Sequence, residues 1–367
     1  MRILQLISST GYYGAEYVVA ALAEKLPSIG IECYVGHIRY GGGEEDVFRL
    51  EDHLRNCDVI PFEHSYRFEI GIVQRLRKEV KKRNLDAIHC HGYKPDFYGG
   101  LAAKIANIPV MSTCHLWTRA TPALRGYARL DAMILRNFDK VVAVSEPIFR
   151  ELQSAGVPAR NLALIPNGIS IARFATTPPI YRSLFDPEAF IFGAACRQVP
   201  AKGIDLLLNS IPRVNALAPS TRFLIAGDGP MLNEYRELAC KLGVDDKVVF
   251  LGRCNSMPEF YASLNTFVLP SRDEGLPIAL LEAMASGQMV IATDVGSVGS
   301  VVHNCENGLL IAPDNLEALI VAMLSVVSNR DHLSRFGAAA RHEVTTNFSS
   351  GRMVRRYAEL YEELRHV

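Results

Sequence analysis

The chain has 367 residues, is 49% hydrophobic and 21% charged, and sets 39 Lys and Arg against 39 Asp and Glu. That length fits about two domains of ordinary size, and the balanced charge gives no global attraction to nucleic acid. Eight cysteines without a Cys-x-x-Cys pair argue against a zinc ribbon or a disulfide framework and fit a reducing compartment. No apolar run is long enough for a bilayer span or a signal-peptide core, so a cytoplasmic protein is expected, with room for a peripheral association with the cytoplasmic face of the inner membrane.

In chain order, short apolar strands alternate with amphipathic helical stretches. The strands are expected at Ile3–Ile7, Cys33–Ile38, Asp86–Cys90, Val110–Cys114 and Val141–Ser145, then at Phe190–Cys196, Arg222–Gly227, Lys247–Leu251, Thr266–Pro270 and Met289–Thr293. This α/β alternation predicts parallel sheets covered by helices on both faces. The stretch around Thr176, Thr177, Pro178 and Pro179 breaks the periodicity and reads as a linker. The expected organisation is one Rossmann-like domain over 1–170, a linker over 171–187, a second Rossmann-like domain over 188–348 and a closing segment over 349–367, with the two sheets facing an interdomain cleft.

The most informative stretch is Pro270 to Gly287, PSRDEGLPIALLEAMASG. An apolar strand ends at Pro270, Gly275 and Pro277 break it, and Ile278 to Ser286 is helix-forming with Gly287 at the stop. Glu274 therefore lies in the loop beyond the carboxyl end of a strand, and Glu282 about two turns into the next helix. The backbone N–H groups of Leu276 and Ile278 fall at that helix start, where open α/β sheets bind ligands and a helix N-terminus attracts phosphate.

This Glu-x7-Glu arrangement within P-S-x-x-E-G-L-P and E-A-M-A-x-G resembles the donor-site signature of glycosyltransferase family 4. Further family motifs recur in order along nearly the whole chain. The resemblance implies the two-domain GT-B fold, a nucleotide-sugar donor, retention at the transferred carbon and a last helix, from about Ser349, that crosses back onto the first domain. It also implies that no Asp-x-Asp metal site is present. The residues agree with this last point, since no His or carboxylate pair has ligand spacing on one helix. No cofactor is expected.

Other residues join this reading. Arg197 and Lys202 follow the strand Phe190–Cys196 on a loop entering a helix, which suits a pyrophosphate; alone they would read as a solvated basic loop. In the family the matching pair neutralises the leaving diphosphate. Gly227-Asp228-Gly229-Pro230 is a tight turn that shapes a wall. Arg253 closes the next strand and is either a surface residue or, by resemblance, a neighbour of the nucleobase. In the first half, the Gly11–Glu16 loop links strand to helix without a dinucleotide fingerprint. Family members carry Gly-Gly-x-Glu there; this chain has Tyr13 in place of the first glycine, which leaves Gly14 for close approach to the donor and Tyr13 on the acceptor side. His91 reads equally as structural or as acceptor-side, His115 by resemblance packs beside the donor sugar, and His89 is expected in the core. The basic run Arg75, Arg77, Lys78, Lys81, Lys82 and Arg83 reads either as a solvated helix face or as a docking surface for anionic lipid, with Tyr66 and Phe68 nearby.

The expected activity is transfer of a hexosyl group from a nucleotide-diphosphate sugar, a UDP-sugar in preference to GDP-mannose, to a saccharide or lipid-linked acceptor in cell-surface polysaccharide synthesis. Catalytic roles fall to Arg197, Lys202, Glu274 and His115; donor binding falls to Gly14, Arg253, Gly275, Leu276, Pro277, Ile278 and Glu282. Two alternatives stand beside it: a GT-B nucleotide-sugar epimerase and a non-catalytic nucleotide-sugar-binding subunit.

Overall fold

A computed structural model describes residues 1–8, 14–40, 50, 54, 57–65, 69–115, 122–175 and 177–365. Tyr13, Tyr66 and Phe68 lie outside the described residues, as does the first half of the Gly11–Glu16 loop. The chain forms two compact units, Met1–Gly168 with Ser350–Val367, and Ile169–Ser349.

Unit 1 is built on β1 (Arg2–Ile7), β2 (Glu32–Tyr40), β3 (Asp58–His64), β4 (Ala87–His91), β5 (Val110–Cys114), β6 (Lys140–Ala143) and β7 (Leu162–Leu164), in the sheet order β3-β2-β1-β4-β5-β6-β7. Every pairing is parallel. Its helices are α1 (Gly14–Lys25), α2 (Gly71–Arg83), α3 (Tyr93–Ala106), α4 (Pro122–Leu135), α5 (Glu146–Ser154) and α12 (Ser350–Leu364), the last arriving from the far end of the chain. Alternation along the strands sends side chains to opposite faces. On β1, Leu4 and Leu6 join the core that holds α2, α3 and α4, while Ile3 joins the core made by α1 and α12. Met353, Val354, Tyr357, Leu360, Tyr361 and Leu364 are all buried in that second core. The helical repeat of these six positions is what turns one stripe of α12 toward the sheet.

Unit 2 is built on β8 (Phe190–Ala195), β9 (Thr221–Ala226), β10 (Val248–Gly252), β11 (Thr266–Leu269), β12 (Met289–Thr293) and β13 (Leu309–Ile311), in the order β10-β9-β8-β11-β12-β13 and again wholly parallel. Helices α6 (Ile204–Leu217), α7 (Leu232–Lys241), α8 (Met257–Ala262), α9 (Ile278–Ala285), α10 (Leu316–Ser328) and α11 (Leu333–Asn347) belong to this unit. The stretch 171–187 is packed on unit 2: Arg182 donates to Asn265 Oδ1 at 3.1 Å and to the Ala189 carbonyl at 2.9 Å, and Phe174 meets Tyr261 edge to face at 6.0 Å.

In each sheet the chain builds outward on one side of the first strand and then returns to build on the other. The reversal falls between β1 and β4 in unit 1 and between β8 and β11 in unit 2. Strands diverge around such a switch point, and the loops at their carboxyl ends open a crevice there.

Candidate active site

In unit 2 the loops after β8 and β11 meet at the switch point. After β8 the backbone passes through Arg197 into a short 3-10 turn, Pro200–Lys202, and then into α6. Gly203 joins the two with φ +64°, and a Cβ there would stand 2.0 Å from the Pro270 carbonyl oxygen. Only glycine allows both that dihedral and that approach. The close contact brings Lys202 to the loop after β11: its Nζ lies 2.8 Å from Glu274 Oε1, which also accepts from Ser271 Oγ at 2.7 Å. Glu274 is buried and Lys202 half-buried. Both of these contacts fall on Oε1.

Arg272 anchors the same loops. Its guanidinium donates to both carboxylate oxygens of Asp205, at 2.8 and 2.7 Å, to Asp314 Oδ1 at 2.6 Å and to the Pro200 carbonyl at 2.6 Å, and its backbone N–H reaches the Ala201 carbonyl at 2.8 Å. A planar fork with five donors suits this set. The guanidinium of Arg272, donating to Asp205, holds that carboxyl below its usual range. From the other side, Gly296, with φ +56°, lets its backbone come within a Cβ's reach of the Glu274 carbonyl, and Ser297 Oγ donates to the Gly275 carbonyl. The segment from Ser271 to Pro277 is thus held at both ends. The 271–277 pattern marks this loop as functional, but nothing in it marks Arg272 as the residue that fixes Lys202, because its partners Asp205 and Asp314 are distant in sequence.

Pro277 takes the N-cap position of α9 with φ −72° and ψ 117°, and the helix proper opens at Ile278. Gly275, Leu276 and Pro277 are buried. The N–H groups of a first helical turn have no intrahelical acceptor and concentrate positive potential. The helix opens at Ile278 as the sequence pattern predicts, and Glu282 is its fifth residue, one turn in rather than two. Its side chain is 7% exposed. Burial pushes its carboxyl up to about 7, opposed by the Tyr261 hydroxyl, which donates to Oε2 at 3.0 Å, and by the charge of Arg173. Helix α9 ends as predicted, with Gly287 at φ +74° and Gln288 N bonding the Ala283 carbonyl.

Arg197 is exposed just past β8, and Arg253 is exposed beyond the end of the edge strand β10. Gly227 and Gly229 let their loop lie directly against the backbone of Cys196 and Gln198, where Cβ atoms would come within 1.8 and 2.5 Å of carbonyl oxygens. They shape the wall beside Arg197.

In unit 1 the carboxyl ends of β4 and β5 carry histidines. His91 is the last residue of β4, and His115 follows β5. Their rings bond through His91 Nδ1 and His115 Nε2 at 3.2 Å. His89, two residues earlier on the same face of β4, is fully buried. Burial drives His115 down to about 4 and holds His89 and His91 well below the usual imidazole range, helped by the mutual proximity of the rings. All three are neutral at physiological pH. Gly14 opens α1 on the far side of the undescribed loop. Among the described residues, no group of three or more His, Cys, Asp or Glu side chains is arranged to hold a metal ion.

The model for glycosyl transferases group 1 matches residues 182–343, and the model for glycosyltransferase family 4 matches residues 12–173. The lipopolysaccharide core biosynthesis mannosyltransferase LpsB of Rhizobium meliloti is 32% identical over 244 residues, covering 63% of this chain and 67% of that protein. The chain belongs to the group 1 glycosyltransferases. A UDP-Gal:alpha-D-GlcNAc-diphosphoundecaprenol alpha-1,3-galactosyltransferase of Escherichia coli is 25% identical over 313 residues, covering 79% of this chain and 78% of that one. The crystal structure of Anabaena Alr3699/HepE in complex with UDP-glucose superposes with a TM-score of 0.87 over 99% of this chain and 100% of that chain, at 21% identity. This glycosyltransferase therefore has the GT-B fold, with two parallel-sheet α/β units, and is a hexosyltransferase.

Proposed function

We propose that this glycosyltransferase moves a hexosyl group from a nucleoside-diphosphate sugar to a saccharide or lipid-linked acceptor in cell-surface polysaccharide synthesis, with retention of configuration. The observation that carries the reading is the pairing of half-buried Lys202 with buried Glu274 at the switch point, one loop away from a second buried carboxylate on α9. A UDP-sugar is the preferred donor. The UDP and UDP-glucose complexes of the Anabaena protein and the UDP-galactose named for the Escherichia coli relative support it; the GDP-mannose-dependent mannosyltransferases of mycobacteria keep GDP-mannose as the second choice. The named relatives are transferases, which disfavours the epimerase and the non-catalytic readings.

In this proposal Glu282 accepts from the ribose hydroxyls. Glu274 accepts from a hydroxyl of the transferred sugar and orients its anomeric carbon. Arg197, Lys202 and the backbone at Gly275 to Ile278 meet the diphosphate, Arg253 lies by the base and Gly14 by the donor phosphate. His115 meets the transferred sugar, and His91 and Tyr13 serve the acceptor side. Negative charge grows on the diphosphate as the glycosidic bond breaks, and cations fixed beforehand stabilise that charge more than they stabilise the ground state. The departing phosphate takes the acceptor's proton on the same face, which gives retention without a dedicated protein base.

No described helix is long and apolar enough to cross a membrane. A peripheral membrane contact is part of the proposal, and α2 is its element. Arg75 and Arg83 pair with Glu69, Glu79 and Asp58, and Lys82 lies 3.8 Å from Glu79; Lys78, Lys81 and Lys82 are exposed along one face, with Ile70 64% exposed at the helix start. Flotation with anionic vesicles tests it, and no binding at low salt removes it.

The first test of the donor site is thermal stabilisation by UDP, GDP and ADP, on wild type and on Glu282→Ala. A ligand that binds the native state raises Tm by mass action. The expected result is a shift with UDP that the variant loses. No shift with any of the three, or an equal shift in the variant, removes the assignment.

A further inference from the structure

The polar groups of unit 1 do not stop at His91 and His115. His91 Nε2 lies 2.9 Å from Gln5 Oε1, and Gln5 Nε2 lies 2.8 Å from the Tyr361 hydroxyl. That hydroxyl lies 2.7 Å from His89 Nδ1, His89 Nε2 lies 2.8 Å from Thr113 Oγ1, and Thr113 Oγ1 lies 2.9 Å from the Tyr357 hydroxyl. With the His91–His115 bond, six hydrogen bonds run unbroken from the end of β5 to α12. Period-2 alternation explains the alignment: Gln5, His89, His91 and Thr113 occupy alternate positions on neighbouring strands and face the helix that carries Tyr357 and Tyr361.

Such a chain has a direction. A neutral imidazole donates from one nitrogen and accepts at the other, and an amide donates only from nitrogen and accepts only at oxygen. With the Gln5 oxygen on His91, His91 carries its proton on Nε2 and must accept at Nδ1. His115 then carries its proton on Nε2. Beyond Gln5, the amide nitrogen donates to Tyr361, Tyr361 donates to His89, and His89 donates to Thr113. Turning the Gln5 amide over reverses every proton in the chain. The outer nitrogen of the chain, His115 Nδ1, has no partner among the described residues.

We propose that Gln5 and Tyr361 are positioning residues that fix His115 as the Nε2–H tautomer, so that its Nδ1 meets the substrate as a bare hydrogen-bond acceptor. An acceptor selects a hydroxyl on the bound sugar and rejects a carbonyl or ether oxygen at the same place. The consequence for turnover rests on the proposed contact between His115 and the transferred sugar; the tautomer itself does not, and the two can be tested apart.

The test uses the full chain labelled with 15N-histidine, with His115→Gln to identify the His115 signals. The expected spectrum of wild type shows His115 protonated at Nε2 and unprotonated at Nδ1. Gln5→Leu and Tyr361→Phe, each checked for native melting behaviour, are expected to mix or reverse that pattern and to lower kcat/KM at least tenfold, with UDP stabilisation unchanged. A wild-type His115 protonated at Nδ1 overturns the proposal. So does an unchanged His115 pattern in a folded variant. Tyr361→Phe keeps the aromatic ring in the core and carries the test if Gln5→Leu does not fold. A changed tautomer with unchanged kcat/KM upholds the wiring and overturns the contact of His115 with the sugar.

Discussion

The two switch points of this glycosyltransferase share a topology and differ in charge. In unit 2 the loops after β8 and β11 carry Arg197, Lys202 and Glu274, with Arg272, Asp205 and Asp314 tying them down. In unit 1 the ends of β4 and β5 carry histidines kept neutral by burial and linked, through the Gln5 amide, to Tyr361, His89, Thr113 and Tyr357. Charge is useful where charge develops, as on a leaving diphosphate. A neutral, directional network suits the recognition of hydroxyl groups, because it discriminates donor from acceptor without a full ionic desolvation cost. One scaffold thus presents an ionic surface and a neutral one at equivalent positions.

Three perturbations test that contrast in unit 2. Lys202→Ala removes the cation from the ionic surface and is expected to lower kcat by about a thousandfold, on the order found for loss of one transition-state donor, with a much smaller change in donor KM. Steady-state kinetics with the preferred donor measure it. An intact kcat would mean that the diphosphate does not meet this loop.

Glu282→Gln comes next and has a pH signature. The folded pKa of Glu282 lies at about 7, above the ordinary 4.5. The folded state therefore binds this proton more tightly than the unfolded chain does. The associated stability is complete below the unfolded value and is lost as pH rises through about 7, a difference of roughly 3 kcal/mol by linkage. Glutamine, always neutral and still able to accept from Tyr261, is expected to raise Tm relative to wild type at pH 8 but not at pH 4, while weakening donor binding at both. Equal Tm differences at the two pH values would contradict the burial argument.

Arg272→Ala is expected to act through Lys202. It frees the Pro200 carbonyl and leaves Asp205 and Asp314 without their partner, while the backbone bond to the Ala201 carbonyl remains, and should cost about tenfold in kcat/KM, in the range of a displaced positioning group. UDP stabilisation should survive. If Arg272→Lys restores activity fully, the bidentate geometry is not what matters.

Much of this was legible from sequence where the signal was local. The central strands announce themselves as short apolar runs, and Val110–Cys114 and Met289–Thr293 come out with the expected limits. The strands absent from the reading are β3, β7 and β13, all at sheet edges. Two have three residues each, and the third contains Pro61, which an edge tolerates and a central strand does not. Glu274, Glu282 and Lys202 stand in recognisable strings. Arg272 and Tyr261 do not, because their partners are set by folding. Gln5 is the extreme case, since Tyr361 is 356 positions away, and a glutamine in an otherwise apolar strand carries no mark of its use.

Helix α12 has a consequence for how the protein is made. Ile3, Met111 and Val142 from the first part of the chain share their core with Tyr357, Leu360 and Leu364 from its last turns. Synthesis runs from the amino end, and domains tend to fold as they emerge. Unit 1 cannot close this core until α12 leaves the ribosome, after all of unit 2 has been made. A nascent chain that stalls before α12 holds a finished unit 2 and a unit 1 whose apolar face is still bare, so loss of α12 should act as a failure of the first half of the chain.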